Sequence, residues 1–137
     1  MSADQSPAEL IQMISEPTRL RILNALAAAP LFVSDLQAVL ELPQSTVSRH
    51  LQVLRKADLV RDTPVTPFVI YRLRHPHGVT GRLFAAVLDA IALEGPMGAE
   101  RARAHTRSRA NYFDRTSEEP VLLALDGTAL PGEDAPS

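Results

Sequence analysis

The sequence predicts a mainly α-helical domain carrying one β-hairpin, and three observations predict it. Of 137 residues, 19 are alanine and 19 leucine against six aromatics, a balance that favours packed helices over a sandwich or barrel. Apolar residues recur at helical spacing in five segments between residues 7 and 93. The stretch from 59 to 73 departs from that spacing: Val69, Tyr71 and Leu73 alternate there, after a proline-flanked turn.

Ser6 caps a first helix over residues 7–14, with Pro7 in its first turn and Leu10, Ile11, Met13 and Ile14 on its apolar side. Glu16 and Pro17 restart the chain into a second helix over 18–28, stopped by Pro30. Ser34, followed by Asp35, caps a third, in which Leu36, Val39 and Leu40 share one side. After Glu41, Leu42 and Pro43 a fourth helix runs from 44 to about 57. Two strands, 59–63 and 68–73, are joined by Pro64-Val-Thr-Pro67. Residues 78–93 return to helix with a broad stripe of Leu83, Phe84, Val87, Leu88 and Ile91, more apolar surface than one small domain hides. Gly95-Pro96 interrupts, and 97–115 is helical again, its five arginines pointing all around the axis. Two short helices joined by a three-residue turn and followed by a hairpin make a winged helix-turn-helix with a two-stranded wing. Three parts are expected: 1–95 as the winged helix-turn-helix domain with its apolar fifth helix, 96–117 as an additional helix, and 118–137 as a mostly disordered acidic tail with one apolar patch at 121–125.

With no cysteine, disulfides, thiolate metal sites and cysteine nucleophiles are excluded. No apolar run approaches the roughly 20 residues that span a bilayer, and residues 1–7 carry no basic, apolar leader, so a cytoplasmic protein is expected. The formal charge is −2, yet its distribution is uneven. Residues 44–61 hold Arg49, Arg55, Lys56 and Arg61 against Asp58, whereas 117–137 hold five acids and no base.

The fourth helix explains that patch. With Val47 at the origin of a helical wheel, Leu51 and Leu54 fall within about 40° of it, while Ser45, Ser48, Arg49, Gln52 and Lys56 lie between about 100° and 200°. That second face is polar, basic and free of acid. Arg can pair with guanine and Gln with adenine in a major groove, and the first turn, Gln44, Ser45 and Thr46, offers free backbone N–H groups to phosphate. His50 borders the apolar side and suits packing or phosphate contact better than catalysis.

The strings Ser15-Glu-Pro-Thr-Arg-Leu-Arg-Ile-Leu23, Val33-Ser-Asp-Leu36, Gln44-Ser-Thr-Val-Ser-Arg-His-Leu51, Leu54-Arg-Lys-Ala-Asp-Leu-Val60 and Tyr71-Arg-Leu73 resemble the ArsR/SmtB family of dimeric bacterial repressors over about residues 8–93. The resemblance implies a homodimer joined through the first and fifth helices. Here that assigns Leu10, Ile11, Ile14, Leu83, Phe84, Val87, Leu88 and Ile91 to the interface. It also implies binding to an inverted repeat of double-stranded DNA and release by a small signal. Where many members carry cysteines on the third helix, this chain has Leu31-Phe-Val-Ser-Asp-Leu36, so a thiol signal is absent. The family's other metal site would find His75 and His77 at the start of the fifth helix but only Asp89 and Glu94 near its end. No cofactor is therefore expected, and His75 and His77 stand as weak metal candidates. Members usually have glycine where Glu41 stands, which implies a differently made turn here. The wing tip lacks the customary basic residues.

A sequence-specific repressor with a small-molecule inducer is the leading reading, the inducer placed between the fifth and last helices. The alternative is a winged-helix protein–protein interaction module. An enzyme is not expected, because the four histidines are scattered without a catalytic spacing. Residues 101–115 are similar to the segment preceding a methyltransferase domain in some larger members, and a helix covering the dimer is the plainer expectation. Tyr112 and Phe113 are expected to dock on it.

Overall fold

A computed structural model describes residues 5–116, with side chains as far as Asn111. Tyr112, Phe113 and the tail at 118–137 therefore lie outside the described side chains. The elements follow in the order α1 (Pro7–Ile14), α2 (Pro17–Ala28), β1 (Leu31–Phe32), α3 (Val33–Leu40), α4 (Gln44–Lys56), β2 (Val60–Val65), β3 (Phe68–Leu73), α5 (Gly78–Ile91) and α6 (Gly95–Thr116).

The helix starts are fixed by local hydrogen bonds. Ser6 Oγ accepts from the Glu9 N–H at 3.1 Å while the Glu9 carboxylate accepts from the Ser6 N–H at 2.8 Å, a reciprocal cap on α1. At α2 the Glu16 carboxylate accepts from the Arg19 N–H at 2.9 Å, and Pro17 takes the first helical position. The start of α3 differs from expectation, since the cap is not Ser34. Residues 31 and 32 pair with β3, Leu31 opposite Tyr71 and Phe32 opposite Ile70, so the strand runs straight into the helix. The cap then comes from inside, from Asp35, whose Oδ2 accepts from the Phe32 N–H at 2.9 Å.

The expected two-stranded wing is part of a three-stranded antiparallel sheet ordered β1-β3-β2. Pro64 and Val65 belong to β2 rather than to the turn, which is Thr66 and Pro67 with a cis peptide between them. Proline is tolerated in β2 because that strand is an edge. Two residues of β1 are too short to show an alternation in sequence.

One core cluster joins α1 to α6 and the root of the wing, with Leu10, Ile22, Leu23, Leu36, Leu51, Leu54, Leu59, Phe84 and Ala104 fully buried. Phe32, Val65 and Ile70 form a smaller one under the hairpin. Helix α6 starts at Gly95, with Gly95-Pro96 in its first turn rather than ahead of it, and lies on α2 and α3. Its arginines explain the placement. Arg101 donates to Asn24 Oδ1 at 3.1 Å and to the Leu88 carbonyl at 2.9 Å, Arg103 to the Val39 carbonyl at 3.4 Å, and Arg107 to buried Asp35 at 2.9 Å. Asn24 is itself buried and donates to the Met97 carbonyl. A wheel that scores charge as solvent-facing misses arginines that reach carbonyls of neighbouring helices. Helix α6 shares the core of residues 1–95 through Ala104.

The apolar residues read as a dimer seam divide in two. Leu10, Ile14, Phe84 and Leu88 are buried within the chain, at 0%, 7%, 0% and 4% exposure. Ile11 stays 53% exposed, and Leu83, Val87 and Ile91 are only partly covered. Both α1 and α2 pack on α5 within the chain, where Phe84 and Leu88 are already buried without a second copy.

Candidate nucleic-acid interface

Helix α4 is held by its Val47, Leu51 and Leu54 side, each fully buried, against α2, α3 and β2. Opposite that side, Gln44, Ser45, Arg49, Gln52 and Lys56 are exposed, and Thr46 and Ser48 are half-buried. Four of the five residues on the acid-free face drawn from the wheel, Ser45, Arg49, Gln52 and Lys56, are thus exposed, with Ser48 half-buried at its edge. Gln44 donates to Ser48 Oγ at 3.2 Å, and Arg55 donates to Gln52 Oε1 at 3.1 Å. The Gln52 carboxamide keeps its NH2 group and a second oxygen lone pair, which are the groups that read adenine.

The turn before α4 is made as a left-handed turn despite its residue, which corrects the expectation of a different geometry. Glu41 has φ 57° and ψ 49°, at a cost on the order of 1 kcal/mol for a non-glycine residue. Three contacts hold it: the Glu41 N–H donates to the Gln37 carbonyl, Leu42 N–H to the same oxygen at 3.3 Å, and Arg21 to the Leu40 carbonyl at 3.0 Å. Arg21 is in turn clamped by Glu100 of α6. A cation on the last carbonyl of α3 also meets the negative end of that helix. Arg21 and Glu100 lie 79 residues apart, so no local spacing shows their pairing. After α4 the chain turns again through a left-handed residue, Asp58 at φ 65°, which Arg74 approaches at 3.7 Å.

His50 is set apart from the other predicted contacts. It is half-buried, and its Nδ1 is enclosed without a hydrogen-bond partner. Burial pushes its pKa below the ordinary imidazole value; the Glu16 carboxylate opposes this, and Arg49 and Arg19 reinforce it. Glu16 moves below the usual carboxylate range despite the burial that would raise it, because backbone N–H groups of Arg19 and Thr18 and the cations around it favour the charged form.

The other histidines form no cluster. The His75 ring packs edge-on against Phe84 with centroids 5.3 Å apart, and among the described residues no three His, Cys, Asp or Glu side chains of one chain converge. Two open grooves flank α6. One, of about 500 Å3, touches Ala28, Ala92, His105 and Thr106; the other, of about 670 Å3, lies between α3 and α6. No described helix is long and apolar enough to cross a membrane.

Residues 16–62 match the model of the "Bacterial regulatory protein, arsR family". The transcriptional repressor SmtB homolog of Synechocystis sp. is 39% identical over 93 residues, 66% of this chain and 69% of that protein. The chain belongs to the ArsR family of bacterial regulators. The HTH-type regulator CmtR of Mycobacterium bovis is also 39% identical, over 69% of this chain and 81% of its own. Reduced HlyU of Vibrio cholerae superposes with a TM-score of 0.52 at 29% identity, over 63% of this chain and 85% of that one. This ArsR-family chain is thus a DNA-binding transcriptional regulator, not an enzyme. The match from 16 to 62 spans α2, the turn at Glu41 and all of α4, the elements that display the polar face.

Proposed function

We propose that the chain acts as a homodimeric repressor that lays two α4 helices in the major grooves of an inverted-repeat operator. In this reading it is released by a signal other than a thiol reagent. The observation that carries the DNA-facing part is the exposed, acid-free face of α4, seated on three fully buried aliphatic side chains. Ser45, Ser48, Arg49 and Gln52 face base edges, and Gln44, Thr46, His50 and Lys56 serve the phosphates. Support for the dimer comes from Ile11 on α1 and from Leu83, Val87 and Ile91, which recur four residues apart on α5 and stay partly exposed in the single chain. The absence of cysteine supports a non-thiol signal. A small organic inducer fits best, no cofactor is required, and His75 with His77 is the place to test for a metal.

The test is a titration of a palindromic duplex, selected from random DNA, at several salt concentrations. Phosphate neutralisation gives a log–log slope near −0.9 per contact, so a steep slope with a stoichiometry of two chains per duplex is expected. A salt-independent affinity, or one chain per palindrome, overturns the reading.

A further inference from the structure

The groove between α3 and α6 has a floor of small apolar side chains, Ala38 and Val39 from α3 and Ala102 and Ala110 from α6, with Arg103 and Arg107 beside it. The two arginines lie one turn apart on the same side of α6. Their inner ends are fixed, Arg103 on the Val39 carbonyl and Arg107 on Asp35, yet the side chains remain 52% and 45% exposed. Such a groove fits a short apolar segment with acids at its ends.

The chain itself contains one. It continues for 21 residues past Thr116, and these include Glu118-Glu-Pro-Val-Leu-Leu-Ala-Leu-Asp126, an apolar run bounded by acids on both sides. We infer that residues 121–125 of this chain occupy the α3–α6 groove, running back along α6 so that the acid after them meets Arg103. The lengths agree: residues 102–111 of α6 span about 14 Å at 1.5 Å per residue, and five extended residues span about 17 Å. Residues 117–120, with Pro120 among them, supply the reversal. Five steps from Thr116 reach up to about 17 Å, whereas Ala110 lies about 9 Å back along the helix axis. With the segment running antiparallel, Asp126 comes toward Arg103 and Glu119 toward the C-terminal end of the groove. A tether this short gives a millimolar effective concentration, so even a weak site is filled. The occupant touches α3, and α3 leads through Glu41 into α4.

The cysteine-free sequence allows a clean test on the full chain. Thr128→Cys carries a nitroxide, and amide signals are compared with the label oxidised and reduced. Signals of Ala38, Ala102 and Arg103 should lose more than half of their intensity while Ser48 and Gln52 on α4 keep theirs. Asp126→Lys, which reverses the acid that comes toward Arg103 and leaves the α3–α6 contacts themselves untouched, should restore the lost intensity with the rest of the spectrum unchanged. Broadening centred on α4 would mean that the acidic tail covers the DNA-facing side and would overturn the inference. So would the absence of localised broadening. A mixture of isotope-labelled chains without nitroxide and unlabelled chains with it should show no broadening; broadening there would assign the segment to another copy and overturn the intrachain version.

Discussion

Asp35 tests the account of how α6 is fastened to the DNA-binding unit. Its side chain is 1% exposed and accepts from the Phe32 N–H, from Arg107 Nε and from Asn111. Asp35→Ala removes an N-cap acceptor, worth about 0.5–2 kcal/mol, and takes an acceptor from a buried backbone N–H, a loss of about 1–3 kcal/mol that partly overlaps the first. Arg107, 45% exposed, rehydrates when it loses the carboxylate, so the ion pair adds at most about 1 kcal/mol. The expected total is about 2–4 kcal/mol. Arg107→Ala leaves the carboxylate held by Phe32 and Asn111 and should cost no more than about 1 kcal/mol. Urea unfolding of both variants, with hydrogen exchange along α6, measures the difference. Equal losses, or a loss below about 0.5 kcal/mol for Asp35→Ala, would show that the buried carboxylate does not organise this junction.

Further outcomes follow from other sites. Gly81→Ala builds a Cβ at 2.0 Å from the Pro76 carbonyl oxygen; a backbone atom cannot swing aside, so thermal unfolding should show a loss of about 1–3 kcal/mol. Ile11→Glu, at a site 53% exposed in the single chain, should leave circular dichroism intact and shift sedimentation from dimer to monomer, because the charge would be buried across the seam. His50 has a folded pKa below its ordinary value of 6.5, so the folded chain binds fewer protons than the unfolded one. Its contribution is present above pH 6.5 and is lost as pH falls below that value. His50→Gln should therefore flatten the decline of stability on acidification through that range, and an unchanged pH profile would exclude the half-buried imidazole as its cause.

Much of this architecture was legible in the sequence because its signals are local. Ser6 with Glu9, Pro17, and the Val47, Leu51 and Leu54 spacing each report on the turn of helix in which they sit. The polar face of α4 was legible for the same reason. What stayed hidden depends on contacts distant in sequence. Strand β1 is two residues long and exists because β3 lies beside it. The cap at Asp35 follows from that strand, and the docking of α6 rests on pairs such as Arg21 with Glu100 and Arg107 with Asp35. The apolar stripe of α5 shows how much must be covered but not by what; Phe84 and Leu88 are buried within the chain, and Leu83, Val87 and Ile91 stay half free. Glu41 shows that a left-handed turn need not announce itself with glycine when carbonyl acceptors and a clamped arginine hold it.

The central claim, that a pair of α4 helices reads DNA through the exposed polar face, is tested most directly by methylation interference on the selected duplex. Methylation at guanine N7 blocks the major groove, and at adenine N3 the minor groove. The account predicts two symmetric clusters of interfering guanine N7 positions about 10 base pairs apart, and their loss of influence in Arg49→Ala, which should bind about 5- to 150-fold more weakly, as for about 1–3 kcal/mol. A single cluster, interference confined to adenine N3, or full-strength binding by folded Arg49→Ala would contradict it.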